Sequence, residues 1–139
     1  MYLFGMGEST SFVVEQEAYN GVKRVAKKVA EDMYLVSDML PGILEKVSFA
    51  FGNAVLFATV GKSEMLHVLQ ERKLLSVDEV EGKWETYGIR LLTRDDIWDI
   101  PECERIENLV VIYGCDKRGT IYGMFHLSEL MGVSPLVYW

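Results

Sequence analysis

Leu109-Val110-Val111-Ile112-Tyr113 is apolar at five consecutive positions, three of them β-branched. Such a run suits a buried strand. Gly114 and Gly119 then bracket a short charged turn, Cys115-Asp116-Lys117-Arg118. Beyond it Ile121, Met124, Phe125, Leu127, Leu130 and Met131 recur at helical spacing, which predicts a helix over residues 120–131. Gly132 is its stop signal, with Pro135 just past it. A strand, a glycine turn and a helix put Lys117 and Arg118 at the carboxyl end of a strand, where open α/β sheets bind ligands.

A second run, residues 54–60, is apolar except for Thr59 and reads as a central strand covered on both faces. Gly61-Lys62-Ser63 follows, with Ser63 as the cap of a helix over residues 64–72 that turns Met65, Leu66 and Leu69 inward. Free N–H groups at that helix start favour an anion. Earlier in the chain, Phe12-Val13-Val14 predicts a first strand. Asn20 then opens a helix with Val22, Val25, Ala26, Val29, Ala30 and Met33 on one face and Lys23, Arg24, Lys27, Lys28 and Glu31 on the other. That basic row reads as a solvated face. Residues 38–42 carry a turn at Pro41, residues 43–49 a short strand and residues 86–92 another strand. Residues 94–107 read as irregular, anchored by Trp98 and Ile100 and interrupted by Pro101. The sum is an α/β layered domain with a mixed β-sheet flanked by helices.

At 139 residues the chain is long enough for one domain with a real core. A net charge of −7 makes nucleic acid or an anionic membrane an unexpected partner. No apolar run reaches membrane-spanning length, and the start lacks the layout of a signal peptide. Cys103 and Cys115 do not form a metal-ligand pattern, although they could pair with each other; two histidines are too few for a cluster, so no metal or cofactor is expected. Gly61-Lys62-Ser63 is not a P-loop, because Leu56 occupies the position where that loop needs its first glycine. Its lysine and helix start can still receive a carboxylate or a sugar hydroxyl; equally, they make an ordinary capped turn. In the second turn Arg118 offers a planar fork for a carboxylate and Lys117 a point charge, unless Asp116 holds either cation internally. Neither His67 nor His126 has a nucleophile beside it in sequence, and no pair of acids stands out.

The run Gly114-Cys115-Asp116-Lys117-Arg118-Gly119-Thr120-Ile121-Tyr122-Gly123 resembles a segment of glycoside hydrolase family 115, the xylan α-1,2-glucuronidases. Its continuation Leu127-Ser128-Glu129, then Gly132-Val133-Ser134-Pro135, resembles that family too. So do Thr59-Val60-Gly61-Lys62-Ser63, Gly82-Lys83-Trp84-Glu85 and Gly21-Val22-Lys23-Arg24-Val25-Ala26. Cys115 stands where the family usually has serine, and Leu136 where it usually has tryptophan. The resemblance implies an N-terminal α/β accessory domain over residues 1–139, with the catalytic (β/α)-barrel downstream in a longer parent chain. That parent would remove glucuronic acid, or its 4-O-methyl ether, from xylan by an inverting two-carboxylate hydrolysis. The domain would dock on the barrel and help form the pocket, with Gly61, Lys62, Ser63, Lys117, Arg118 and Gly119 toward the substrate. A free-standing carbohydrate-binding module, with Trp84, Trp98 or Trp139 as its platform, and a purely structural docking domain are the alternatives.

Overall fold

The computed structural model describes residues 10–37, 42–78, 80 and 82–130, with backbone alone at residues 10, 32–37 and 128–130. Five strands, β1 (Thr10–Val13), β2 (Gly42–Leu44), β3 (Gly52–Thr59), β4 (Tyr87–Thr93) and β5 (Ile106–Gly114), form one sheet in the order β2-β1-β3-β5-β4. All neighbours run parallel except β4, which pairs antiparallel with β5 as an edge strand. The sheet is therefore mixed. The helices are α1 (Asn20–Ser37), α2 (Glu64–Glu71), α3 (Arg94–Ile97) and α4 (Lys117–Leu130).

The two apolar runs become β3 and β5, neighbours at the centre of the sheet. Every residue of β3 after Gly52 is buried, as are the last six of β5. Their alternate side chains feed two cores. On one face Val55, Phe57, Val110 and Ile112 meet Val22, Ala26 and Val29 of α1 and Met124 and Leu127 of α4. On the other, Leu56, Ala58, Leu109 and Val111 meet Met65, Leu66 and Leu69 of α2, with Leu92, Ile97 and Ile100. The α1 face thus points inward as its spacing predicts; Met33 lies outside the described side chains, as does the turn at Pro41 outside the described residues.

Three sequence expectations need correction. Residues 43–49 are not one strand: β2 ends at Leu44 and Val47–Phe49 forms a 3₁₀ turn. Residues 94–107 are ordered rather than irregular. Thr93 and Asp96 cap α3 reciprocally, Pro101 opens a second 3₁₀ turn where its missing N–H costs nothing, and Ile106 begins β5. The Arg94 guanidinium ties this stretch together by donating to the carbonyls of Ile97, Cys103, Glu104 and Ile106. Ile100 is the buried anchor expected, whereas Trp98 is 73% exposed. Cys103 and Cys115 are free thiols, one buried in the core and one at the far end of β5. No helix among the described residues is long and apolar enough to cross a membrane.

Candidate functional site

The register of β3 on β5 pairs Thr59 with Gly114, and the Val60 N–H donates to the Gly114 carbonyl at 2.9 Å. The turns leaving the two strands therefore emerge side by side. Gly61-Lys62-Ser63 and Asp116-Lys117-Arg118-Gly119 share one rim, at the carboxyl ends of the parallel strands. The chain leaves β1 toward β2 on one side and leaves β3 toward β4, beyond β5, on the other. The strand order reverses between β1 and β3, and sheets of this kind hold ligands outside such a switch point. Glu15 and Tyr19, just past β1, face Lys62 and Ser63, just past β3.

Helix α4 starts at Lys117, three residues before the start its apolar spacing predicts. Asp116 makes the difference. Its carboxylate accepts the Gly119 N–H at 2.7 Å and its carbonyl accepts the Thr120 N–H at 3.1 Å, so the charged turn is the first turn of the helix. Lys117 and Arg118 thus stand at the positive end of a helix dipole, a placement the helix itself disfavours. Arg118 is offset by Glu85, Nη1 to Oε1 at 3.0 Å. Lys117 has no hydrogen-bond or ion-pair partner among the described residues. Its stem lies against Gly21, where an added Cβ would sit 3.4 Å from the Lys117 Cδ. The start of α1 therefore lies against the Lys117 stem at the start of α4.

The anion expected at the start of α2 is supplied by the chain itself. Glu15, 9% exposed, accepts the Ser63 hydroxyl and the Met65 N–H, and Glu17 accepts the Glu64 N–H at 3.2 Å. Ser63 caps the helix by accepting the Leu66 N–H at 3.1 Å. Burial pushes the Glu15 carboxyl above its ordinary range, opposed by its bonds from Ser63 and Met65. Glu15 belongs to no motif in the sequence; its one signal there is an acid directly following an apolar strand. The Lys62 amine lies 5.1 Å from the centre of the Tyr19 ring, a cation–π contact across the switch point. Gly61 is exposed with φ +82°, a left-handed turn position that side chains rarely adopt. Gly119 is buried inside α4, and its close approach is to the Thr86 carbonyl.

A second segment of the resemblance, Lys83-Trp84-Glu85, with Thr86 after it, is fastened to this rim. Cys115 N–H donates to the Thr86 carbonyl at 2.9 Å, the Cys115 thiol contacts the Lys83 carbonyl, and Glu85 N–H donates to Asp116 Oδ2 at 3.3 Å. Asp116 so joins the helix start to the neighbouring turn, and its carboxyl is held below the usual aspartate range first by the Gly119 N–H. Its folded-state pKa is depressed, so its contribution to stability is full above the ordinary aspartate range and is lost as pH falls through the folded value. Asp116→Ala is expected to lower the unfolding free energy by about 1–2 kcal/mol at neutral pH. Urea unfolding at neutral and acidic pH checks this: the deficit should shrink on acidification, and one that does not would contradict the cap.

The two histidines have ordinary partners. His126 Nδ1 lies 2.9 Å from the Tyr87 hydroxyl, tying α4 to the edge strand, and exposed His67 pairs with Glu71 one turn on. Among the described residues no three His, Cys, Asp or Glu side chains gather to hold a metal.

No family model matches the chain, and no curated protein does. Among solved structures its fold is similar to a family GH115 4-O-methyl-α-glucuronidase with specificity for decorated arabinogalactans, at TM-score 0.65 and 18% identity. The match covers 94% of this chain and 14% of that one. This likeness is one of fold, and the chain spans a small part of the larger protein's length.

Proposed function

We propose that this chain is the N-terminal accessory domain of an α-glucuronidase of glycoside hydrolase family 115, with the catalytic barrel downstream. In this reading it docks on the barrel and contributes one wall of the pocket for a glucuronic acid side chain. Lys62, Ser63, Lys117 and Arg118 are the groups offered to the uronate, and Gly61 and Gly119 shape the turns that carry them. The observation that carries the reading is the parallel register of β3 with β5, which sets two basic turns on one rim. The motif from Gly114 to Gly123 contains one of those turns, and the fold likeness to a much longer α-glucuronidase supports the wider assignment. Lys117, with no partner among the described residues, is the cation readiest to meet a carboxylate.

The test is release of glucuronic acid from decorated oligosaccharides by this chain and by the full-length parent, side by side. Both glucuronoxylan and glucuronic acid-bearing arabinogalactan fragments belong in the assay, because the first follows from the sequence motif and the second is the specificity of the structural neighbour. Release by the parent and none by this chain is expected. Release by neither, with both folded, removes the uronidase reading.

A purely structural docking role is the second reading. It is favoured by the internal partners of Arg118, Ser63 and Lys62, namely Glu85, Glu15 and the Tyr19 ring. Under it, substitutions in the turns change stability and leave substrate affinity alone.

A further inference from the structure

Trp84 is 86% exposed, more than any other large hydrophobic side chain among the described residues. Its backbone is held as firmly as its ring is free. The Lys83 carbonyl meets the Cys115 thiol, the Trp84 carbonyl accepts the Thr86 hydroxyl at 3.0 Å, and the Glu85 and Thr86 backbones bond to Asp116 and Cys115. Glu85 adopts φ +56°, an uncommon conformation for a residue with a side chain, which persists because the surrounding bonds impose it. Beneath the turn there is no slack: a Cβ on Gly119 would lie 2.3 Å from the Thr86 carbonyl oxygen. An indole on a mobile loop can fold back on its neighbours. Here the backbone that carries the indole is held and the ring stands exposed, next to the residue that pairs with Arg118.

Resting on the function proposed above, we infer that Trp84 is a stacking platform for the neutral pyranose that carries the acidic sugar. The C–H-rich face of a pyranose covers an indole and releases water from both, while the hydroxyls at its edge stay solvated. The charge at Lys117 and Arg118 recognises the uronate and cannot distinguish what the uronate is attached to. Trp84, on the adjoining turn, supplies contact area for that attached sugar, so the two features divide recognition between charge and shape.

The experiment uses the full-length parent and its Trp84→Ala and Trp84→Phe variants. Two constants are measured for each: KM for a decorated oligosaccharide and the inhibition constant of free glucuronic acid. Trp84→Ala is expected to raise KM about tenfold, an effect of the size that loss of one stacked ring produces. The free-acid constant should be unchanged, and Trp84→Phe should recover part of the loss. Equal movement of both constants, no movement of KM, or a lowered melting temperature accompanying the loss would overturn the proposal and make Trp84 a packing residue. A parent that releases no glucuronic acid refutes the uronidase reading separately. In that case the parent and Trp84→Phe are titrated with neutral xylo- and galacto-oligosaccharides by tryptophan fluorescence. A saccharide-dependent change confined to the chain with Trp84 sustains the platform, and its absence overturns it.

Discussion

Gly114→Ala is expected to destabilise the domain by about 3 kcal/mol, the upper end of ordinary overpacking. Gly114 is the last residue of β5, directly before the turn into α4. A Cβ there would lie 2.1 Å from the Thr120 backbone nitrogen and 2.6 Å from the Gly119 carbonyl carbon. Both are backbone atoms, so no side-chain rotation makes room. The helix start cannot retreat without breaking the Asp116 cap. Nor can it move without disturbing the buried pair in which the Thr120 hydroxyl lies 2.7 Å from Thr59 Oγ1 and 2.9 Å from the Ala58 carbonyl. Those hydroxyls are satisfied together when Thr59 donates to Thr120 and Thr120 donates to Ala58. Separating them leaves polar groups unpaired in the core. Gly119→Ala should be of similar severity, since it meets the Thr86 carbonyl. Gly123→Ala should be only somewhat milder: its nearest obstacle is Ile112 Cγ2, at 2.5 Å, a side-chain atom rather than backbone, but one on a β-branched and fully buried residue. Urea midpoints for the three variants give the ranking. A Gly114→Ala protein within 1 kcal/mol of the parent sequence would show that α4 is not locked to β5 in this way.

The fold was legible where a residue's own neighbours in sequence decide its environment. Two apolar runs, one of them broken only by Thr59, read as covered strands, and the α1 and α2 faces follow from their spacing. What could not be read is what depends on partners far along the chain. Arg94 orders residues 97–106 through four carbonyls, an arrangement with no apolar period. Helix α4 begins before its apolar stripe because Asp116, not a hydrophobic contact, starts it. The rim itself was half legible. That both basic turns follow buried strands is a property of the sequence. That those strands are neighbours is a property of the sheet. The ligand-like occupants Glu15, Glu17 and Glu85 lie 48, 47 and 33 residues from the groups they meet, beyond any local pattern.

Those occupants frame the prediction with the largest expected effect on activity. In the parent enzyme of the proposed function, Arg118→Ala should lower kcat/KM by about 10- to 100-fold if its fork orients the uronate, since misplacing a reacting group by about an ångström costs that much. The Arg118–Glu85 pair does not argue against such a role. Both side chains are substantially exposed, and ion pairs in that setting contribute little and exchange readily. Glu85 presents to Arg118 the same group a uronate would, so under the proposed function it would compete for the fork. Glu85→Gln should accordingly lower KM, while Arg118→Lys, which keeps the charge and loses the fork, should recover only part of the activity. Lys117→Ala should raise KM with a smaller effect on kcat, because a point charge attracts the anion without fixing its plane. A structural pair predicts another pattern: Arg118→Ala and Glu85→Ala would lower the melting temperature alike and leave both kinetic constants unchanged. Steady-state kinetics on the five variants, with their thermal unfolding measured alongside, separates the two. Opposite signs in KM for Arg118→Ala and Glu85→Gln are the signature of exchange between an internal carboxylate and the substrate's own.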